Sequence, residues 1–110
     1  MYYVTKRIEI SGSHSLKLSY PSKCTSLHGH NWILTIHCRA RELNADGMVT
    51  DFTTIKQELT EMLDHKNFND VLPFNPTAEN IARWACERIP NCYRVDVQES
   101  EGNIAAYEID

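Results

Sequence analysis

The chain is short of several features that would settle its class at once. No apolar stretch approaches the ~20 residues a membrane-spanning helix needs. No run of Lys or Arg occurs, and the formal charge is −4, which argues against a general nucleic-acid binder. The start, Met-Tyr-Tyr-Val-Thr-Lys-Arg, lacks the apolar core of a signal peptide. The four cysteines, at 24, 38, 86 and 92, form no C-x-x-C pair. Free thiols and a reducing cytoplasm are therefore expected, with a single disulfide as the open alternative. Repeats, linkers and low-complexity segments are absent. The 110 residues, 42% of them hydrophobic, suit one compact domain spanning 1–110 with a small core.

What is present begins with alternation. Val4, Ile8 and Ile10 face Thr5, Arg7 and Glu9 across a half-buried strand over 2–10, which Ser11-Gly-Ser interrupts. Residues 17–27 lack periodicity and read as a loop. A second strand covers 31–41, with Trp32, Leu34, Ile36 and Cys38 on one face and His37 on the other. Asn-Ala-Asp-Gly at 44–47 is strong turn chemistry, and Met48-Val-Thr reads as short and extended. Asp51 caps a helix carrying Ile55, Leu59, Met62 and Leu63 at helical spacing. Residues 64–76 read as a loop. Thr77 caps a second helix with Ile81, Trp84, Ala85 and Ile89 as its stripe, and Pro90 stops it. Strands at 93–100 and 103–109 flank Glu101-Gly102.

The order ββααββ predicts an α+β fold, an antiparallel sheet with helices on one face. Four strands cannot close a barrel, so free edges remain, and pairing between identical subunits would cover them.

Chemistry concentrates in His14 and in Cys24-Thr-Ser-Leu-His28-Gly-His30. On a strand, His28 and His30 project to the same face. A third histidine on a neighbouring strand makes three nitrogen ligands and leaves one position open, as in a catalytic zinc site. Gly29 is expected to make room for the converging rings. Cys24, just before the pair, is a possible proton acceptor. Taken singly, each histidine is an ordinary polar loop residue and each cysteine a buried free thiol.

These residues, in order, resemble the 6-pyruvoyl-tetrahydropterin synthase family. The likeness runs through His14, the Cys24–His30 block, Gly47-Met-Val-Thr-Asp51-Phe52 and Leu63-Asp64-His65. It continues through Asn69-Asp70, Asn75-Pro-Thr-Ala-Glu79-Asn80 and Val97-Gln-Glu99-Ser. The three-residue gap between Cys24 and His28 resembles the carboxy-forming bacterial branch of queuosine biosynthesis rather than the pyruvoyl-forming one. Ile10-Ser-Gly-Ser before His14 and a short 17–23 loop depart from the family pattern at the local pocket wall.

The resemblance implies a T-fold: a four-stranded antiparallel sheet with two helices on one face. Trimers form twelve-stranded barrels that pair into a homohexamer, with active sites at subunit interfaces. It implies a zinc ion (Zn2+) on His14, His28 and His30, and a pterin triphosphate as substrate. Cys24 is then the general base, and Asp64 with His65 an acid–base pair. Glu99 is a bidentate anchor for the pterin ring, with Thr77 and Ser100 as further contacts. Outside the resemblance, Asp64 and His65 would be a helix end and Glu99 a solvated turn residue. Lys17, Lys23 and Arg7 are the candidate cations for the phosphates, and the sequence does not choose among them. Cys38, Cys86, Cys92, Trp32, Trp84 and His37 are assigned to packing or structure. The implied reaction converts 7,8-dihydroneopterin triphosphate to 6-carboxy-5,6,7,8-tetrahydropterin, acetaldehyde and triphosphate. Its rivals are the pyruvoyl-forming sister reaction, a zinc- and pterin-binding protein without turnover, and a generic zinc hydrolase.

Overall fold

A computed structural model describes residues 1–110. Two long strands form its spine, β1 (Tyr2–His14) and β2 (His28–Ala40), paired antiparallel from Tyr2↔Ala40 to His14↔His28. Ser11-Gly-Ser does not end β1. Gly12 is needed there for another reason: a Cβ at this position would lie 2.3 Å from the Phe68 ring. The ring therefore packs directly on strand backbone, and the Trp32 indole N–H donates to the Gly12 carbonyl at 3.1 Å.

Helix α1 (Phe52–Leu63) starts at Asp51, whose carboxylate accepts from the Thr53 amide at 2.8 Å. The segment expected to be loop after it holds two small elements. A two-residue strand, β3 (Lys66–Asn67), runs parallel to β1 at Gly12 and Ser13, and one helical turn, α2 (Phe68–Val71), is capped by Asn67. Neither is long enough to show a period in the sequence. Helix α3 (Ala78–Arg88) is capped by Thr77, whose hydroxyl accepts from the Asn80 amide at 3.1 Å. Strands β4 (Cys92–Ser100) and β5 (Asn103–Glu108) form the closing hairpin around Gly102, which adopts φ +83°.

The sheet order is β3-β1-β2-β4-β5. The expected four-stranded antiparallel sheet with two helices is thus corrected to a five-stranded mixed sheet with three helices, β3 supplying the one parallel pair. Met48-Val-Thr is not a strand, although Val49 and Thr50 are buried.

Alternate residues of β1, β2 and β4 (Ile8, Ile10, Trp32, Leu34, Ile36, Val95, Val97) face Ile55, Leu59, Leu63, Ile81 and Ala85 of the helices in one core. Trp84 is only half-buried, with the Arg88 guanidinium 5.0 Å above its ring, so it seals the core rather than filling it. The other sheet face is polar. There His37 sits 2.7 Å from the Asp96 carboxylate, in line with the structural role expected of it. All four cysteines are free. No helix is long and apolar enough to cross a membrane.

Candidate metal centre and active site

Because β1 continues to residue 14, its register sets His14 opposite His28 and Gly12 opposite His30. All three histidines lie on the core face, at one end of the β1–β2 pair. Their ring centroids stand 4.5 Å (14–28), 4.9 Å (28–30) and 5.5 Å (14–30) apart. Trp32 lies edge-on beneath them, 4.8 Å from His14 and 5.4 Å from His30.

The tautomers follow from the partners. His14 Nδ1 is 2.7 Å from the Pro76 carbonyl and His28 Nδ1 is 2.7 Å from the Ser26 carbonyl. A carbonyl oxygen only accepts, so each Nδ1 carries the proton and each Nε2 keeps its lone pair. His14 is fully buried, and burial is the largest influence holding it below its ordinary pKa, with the charges of His28 and His30 adding to it. It is therefore kept in the neutral, ligating form. The Nε2 atoms of His14 and His30 are buried without a hydrogen-bond partner. Orphaned nitrogens of this kind are uncommon in native structures, and a metal ion would satisfy them.

Glu99 adds a fourth donor. It sits where the β4–β5 register shifts between Gln98 and Ser100, and bulges of this kind re-aim side chains. Its Oε1 is 3.2 Å from His30 Nε2 and its Oε2 is 3.9 Å from His14 Nε2. One donor atom each from His14, His28, His30 and Glu99 fall within 4.8 Å of one another, and such a group could hold a metal ion. The sequence reading placed Glu99 on the pterin ring alone; its carboxylate also borders the Nε2 atoms of His14 and His30.

Cys24 is half-buried in a 3-10 turn (Lys23–Thr25), with its amide bonded to the Ser22 hydroxyl at 3.1 Å and its carbonyl to the Leu16 amide at 2.9 Å. It lines a cavity of about 460 Å³ together with His28, His30 and Glu99. Thr77 lines an adjoining cavity of about 490 Å³ that shares Glu99 and Asn103 with the first. Five of the eight expected site residues thus converge, and Thr77 borders them.

Asp64 and His65 do not join this group. Asp64 Oδ1 accepts from the Ser11 amide at 3.0 Å, its Oδ2 lies 3.1 Å from His65 Nδ1, and the His65 amide donates to Ser11 at 2.7 Å. The two side chains therefore lie against each other on the edge of β1. The His65 side chain is 82% exposed and lines a separate cavity of about 590 Å³ that shares only His30 with the Cys24 cavity. His65 has φ +58°, a conformation the N–H···O bond to Ser11 helps to hold. Gly29 also departs from expectation. Its missing Cβ would meet only the Gly12 carbonyl, at 3.6 Å, so the rings converge without needing its vacancy.

The sequence reading missed the side chains that brace the site. Asn69 accepts from the Ser15 amide at 2.8 Å and donates to the Ser15 carbonyl at 2.9 Å. Asn75 does the same with Lys17, at 2.9 and 3.0 Å. These two amide clamps tie the chain after His14 to the segment that carries Pro76, and so hold the Pro76 carbonyl on His14. Both asparagines stood in the motifs quoted above; only their partners were invisible.

An α+β protein with three histidines and a carboxylate at one sheet end, beside a thiol, is the class that fold and site define. The chain belongs to the 6-pyruvoyl tetrahydropterin synthase family, whose model matches residues 3–110. A relative from Pyrococcus horikoshii, named provisionally as a 6-carboxy-5,6,7,8-tetrahydropterin synthase, is 39% identical over 71 residues, covering 60% of this chain and 44% of that protein. The 6-carboxy-5,6,7,8-tetrahydropterin synthase of Rickettsia felis is 29% identical over 99% of this chain and 75% of its own length. The 6-pyruvoyl tetrahydrobiopterin synthase of Dictyostelium discoideum is 30% identical over 94% of this chain and 93% of its own. In fold, the chain is similar to the solved 6-pyruvoyl tetrahydropterin synthase of Caenorhabditis elegans, with a TM-score of 0.78 and 24% identity over 99% of this chain and 96% of that one.

Proposed function

We propose that the chain is a zinc-dependent lyase that converts 7,8-dihydroneopterin triphosphate and water to 6-carboxy-5,6,7,8-tetrahydropterin, acetaldehyde and triphosphate, a step of queuosine or related 7-deazapurine biosynthesis. The observation that carries this reading is the sharing of one cavity by Cys24, Glu99 and two of the three histidines. His14, His28 and His30 would hold the zinc through Nε2. When bound, the metal supplies Lewis acidity toward the hydroxyl oxygens of the substrate side chain. Glu99 accepts the 2-amino group and ring N–H of the pterin and so fixes which side-chain carbon meets Cys24. Cys24 takes the proton from that carbon. The Trp32 ring and the core beneath close the floor of the site to water. The electrons released pass into the dihydropterin ring, so no redox cofactor is required.

Asp64 orients His65 for the return proton transfers. Since they lie outside the cavity of their own chain, this role calls for a second subunit that brings its His65 to the Cys24 of the first. Free sheet edges support such an assembly: β3 covers β1 only at residues 12 and 13, and β5 has no outer neighbour. A trimeric barrel, doubled to a hexamer, is the arrangement we propose.

The Cys-to-His gap of three residues and the R. felis relative support the carboxy-forming reaction. The D. discoideum relative supports a second reading, elimination of triphosphate without carbon–carbon cleavage. The test is anaerobic incubation of zinc-loaded protein with 7,8-dihydroneopterin triphosphate, following products by mass spectrometry. Acetaldehyde in equal amount to the 6-carboxy product is expected; a 6-pyruvoyl product without acetaldehyde selects the second reading. The Cys24→Ala variant should keep metal and pterin binding and lose turnover. Wild-type protein that binds both and turns over nothing would leave a binding protein.

A further inference from the structure

The sequence offered Lys17, Lys23 and Arg7 as partners for a phosphate chain, and the structure separates them. Arg7 stands opposite Thr35 on β1, alternating with Ile8 and Ile10, and so belongs to the polar sheet face away from the metal cluster. Lys17 lines a different cavity, formed by Asn69 and residues 72–76. Lys66 borders the His65 cavity, which does not reach Cys24. Lys23 alone among the cations lines the cavity that holds Cys24, His28 and His30.

Its position there is built. The Ser22 hydroxyl bonds the Cys24 amide at 3.1 Å, the Ser26 amide donates to the Lys23 carbonyl at 3.1 Å, and Leu16 binds the Cys24 carbonyl at 2.9 Å. These bonds hold the turn from both sides. Its ammonium is uncommitted: the chain's ion pairs use Arg83, Arg88 and Arg94, and Arg39 lies over Tyr93. The cavity is lined by Glu99, Ser100 and Asn103 from the β4–β5 hairpin, by Lys23 and Cys24 from the 3-10 turn, and by His28 and His30. A ligand whose ring lies on Glu99 in this cavity therefore finds Lys23 as the one cation in its lining. The chain as a whole carries a formal charge of −4, so a polyanion gains entry only where positive charge is local.

We infer that Lys23 is the residue that receives the phosphate chain of the substrate, setting preference for phosphorylated over unphosphorylated pterins. This rests on the pterin-phosphate reading above, and it adds a specificity residue to it. Lysine suits the task as a mobile point charge that follows a flexible polyphosphate.

The test uses metal-loaded full-length protein and inorganic tripolyphosphate as probe, with affinity read by isothermal titration calorimetry. Lys23→Ala should weaken binding by roughly 10-fold, Lys23→Arg should retain most of it, and Lys17→Ala should leave it unchanged. In parallel, Lys23→Ala should raise KM for 7,8-dihydroneopterin triphosphate and leave the Kd for 7,8-dihydroneopterin, and zinc content, as in the wild type. Absence of tripolyphosphate binding by the wild type, or equal binding by Lys23→Ala, overturns the assignment. A wild type that binds tripolyphosphate through Lys23 but processes no pterin sinks the proposed reaction and leaves the phosphate site standing. Intact turnover with KM indifferent to Lys23 does the reverse.

Discussion

The two ends of one sheet face carry two clusters of potentially reactive side chains, and only one is built for chemistry. At one end, β1 and β2 bring together His14, His28 and His30. At the other, Cys38 and Cys92 pair across β2 and β4 and Cys86 reaches them from α3. The thiols are all buried. Burial first, then hydrogen bonding with Cys92, pushes the Cys86 thiol up to about 12. A hydrogen bond with Cys38, followed by burial, holds Cys92 above its ordinary value, and its Sγ donates to the Arg94 carbonyl at 3.4 Å. Cys38 is the exception in direction, held below its ordinary value chiefly by the hydrogen bond with Cys92, while Cys86 and Cys92 keep their protons, and all three sulfurs are engaged with one another or the backbone. The imidazoles differ in one respect: carbonyls take up Nδ1 on His14 and His28, while Nε2 on His14 and His30 is buried without a hydrogen bond, next to the Glu99 carboxylate. Residue type does not separate the two ends. Unspent lone pairs aimed at a shared point, with a cavity alongside, do.

The largest test of this contrast is metal binding. His30→Ala should weaken zinc affinity by more than about 100-fold, beyond the loss typical of a removed outer-shell partner, as measured by competition with a chromophoric chelator. Cys92→Ala should leave affinity and stoichiometry unchanged. Zinc bound equally well by both variants would erase the distinction between the ends. A second test is steric and sits at the junction of core and site. Gly12→Ala drives a methyl into the Phe68 ring, since the built Cβ lies at 2.3 Å. Overpacking of this kind costs about 1–3 kcal/mol, read as a lower denaturant midpoint. Because β1 must then shift where it delivers His14, zinc affinity should fall as well. Gly29→Ala, with only a 3.6 Å contact, should do neither.

Much of this contrast is legible in the sequence, and the reasons for the remainder are local. Trp32, Leu34, Ile36 and Cys38 alternate cleanly because β2 is buried on one face only. Asp51 and Thr77 announced their helices because a cap acts within three residues of itself. The His-x-His spacing needed nothing beyond the period of a strand. What stayed hidden depended on distant partners. Strand β3 exists because Lys66 and Asn67 meet Gly12 and Ser13, and two residues carry no period. The Ser-Gly-Ser run looked like a break because the ring that demands a glycine comes from Phe68, far along the chain. Glu99 borders the histidine nitrogens at a register shift, and such a shift has no sequence signature here. The separation of His65 from Cys24 is a fact of tertiary placement that no motif records.

Opposite pH dependences should sharpen the comparison further, the alkaline arm first. Cys86 is raised from 9.0 to about 12 in the folded chain, so between those values the unfolded thiol ionises while the folded one keeps its proton. The unfolded state then binds fewer protons, and stability falls as pH rises through that window. Cys86→Ala should flatten the slope in urea midpoints measured from pH 9 upward.

The acid arm is the smaller. His14 lies below its ordinary value of 6.5 in the metal-free fold, mainly because burial disfavours the imidazolium. Well above pH 6.5 both states are neutral there and His14 contributes no slope. As pH falls below 6.5 the unfolded chain takes up a proton that the folded chain refuses, so stability declines, by at most about 1.4 kcal/mol per pH unit for one proton. A metal held on the same Nε2 would compete with that proton and hold the folded state until its own affinity failed in acid. Urea midpoints of metal-free protein between pH 7.5 and 5.5 should therefore slope downward toward acid, and His14→Asn should flatten them, while Cys86→Ala leaves that arm unchanged. A slope that survives in His14→Asn would place the acid-sensitive group elsewhere. The imidazole end would then no longer be the end at which protons and metal contend for one buried nitrogen.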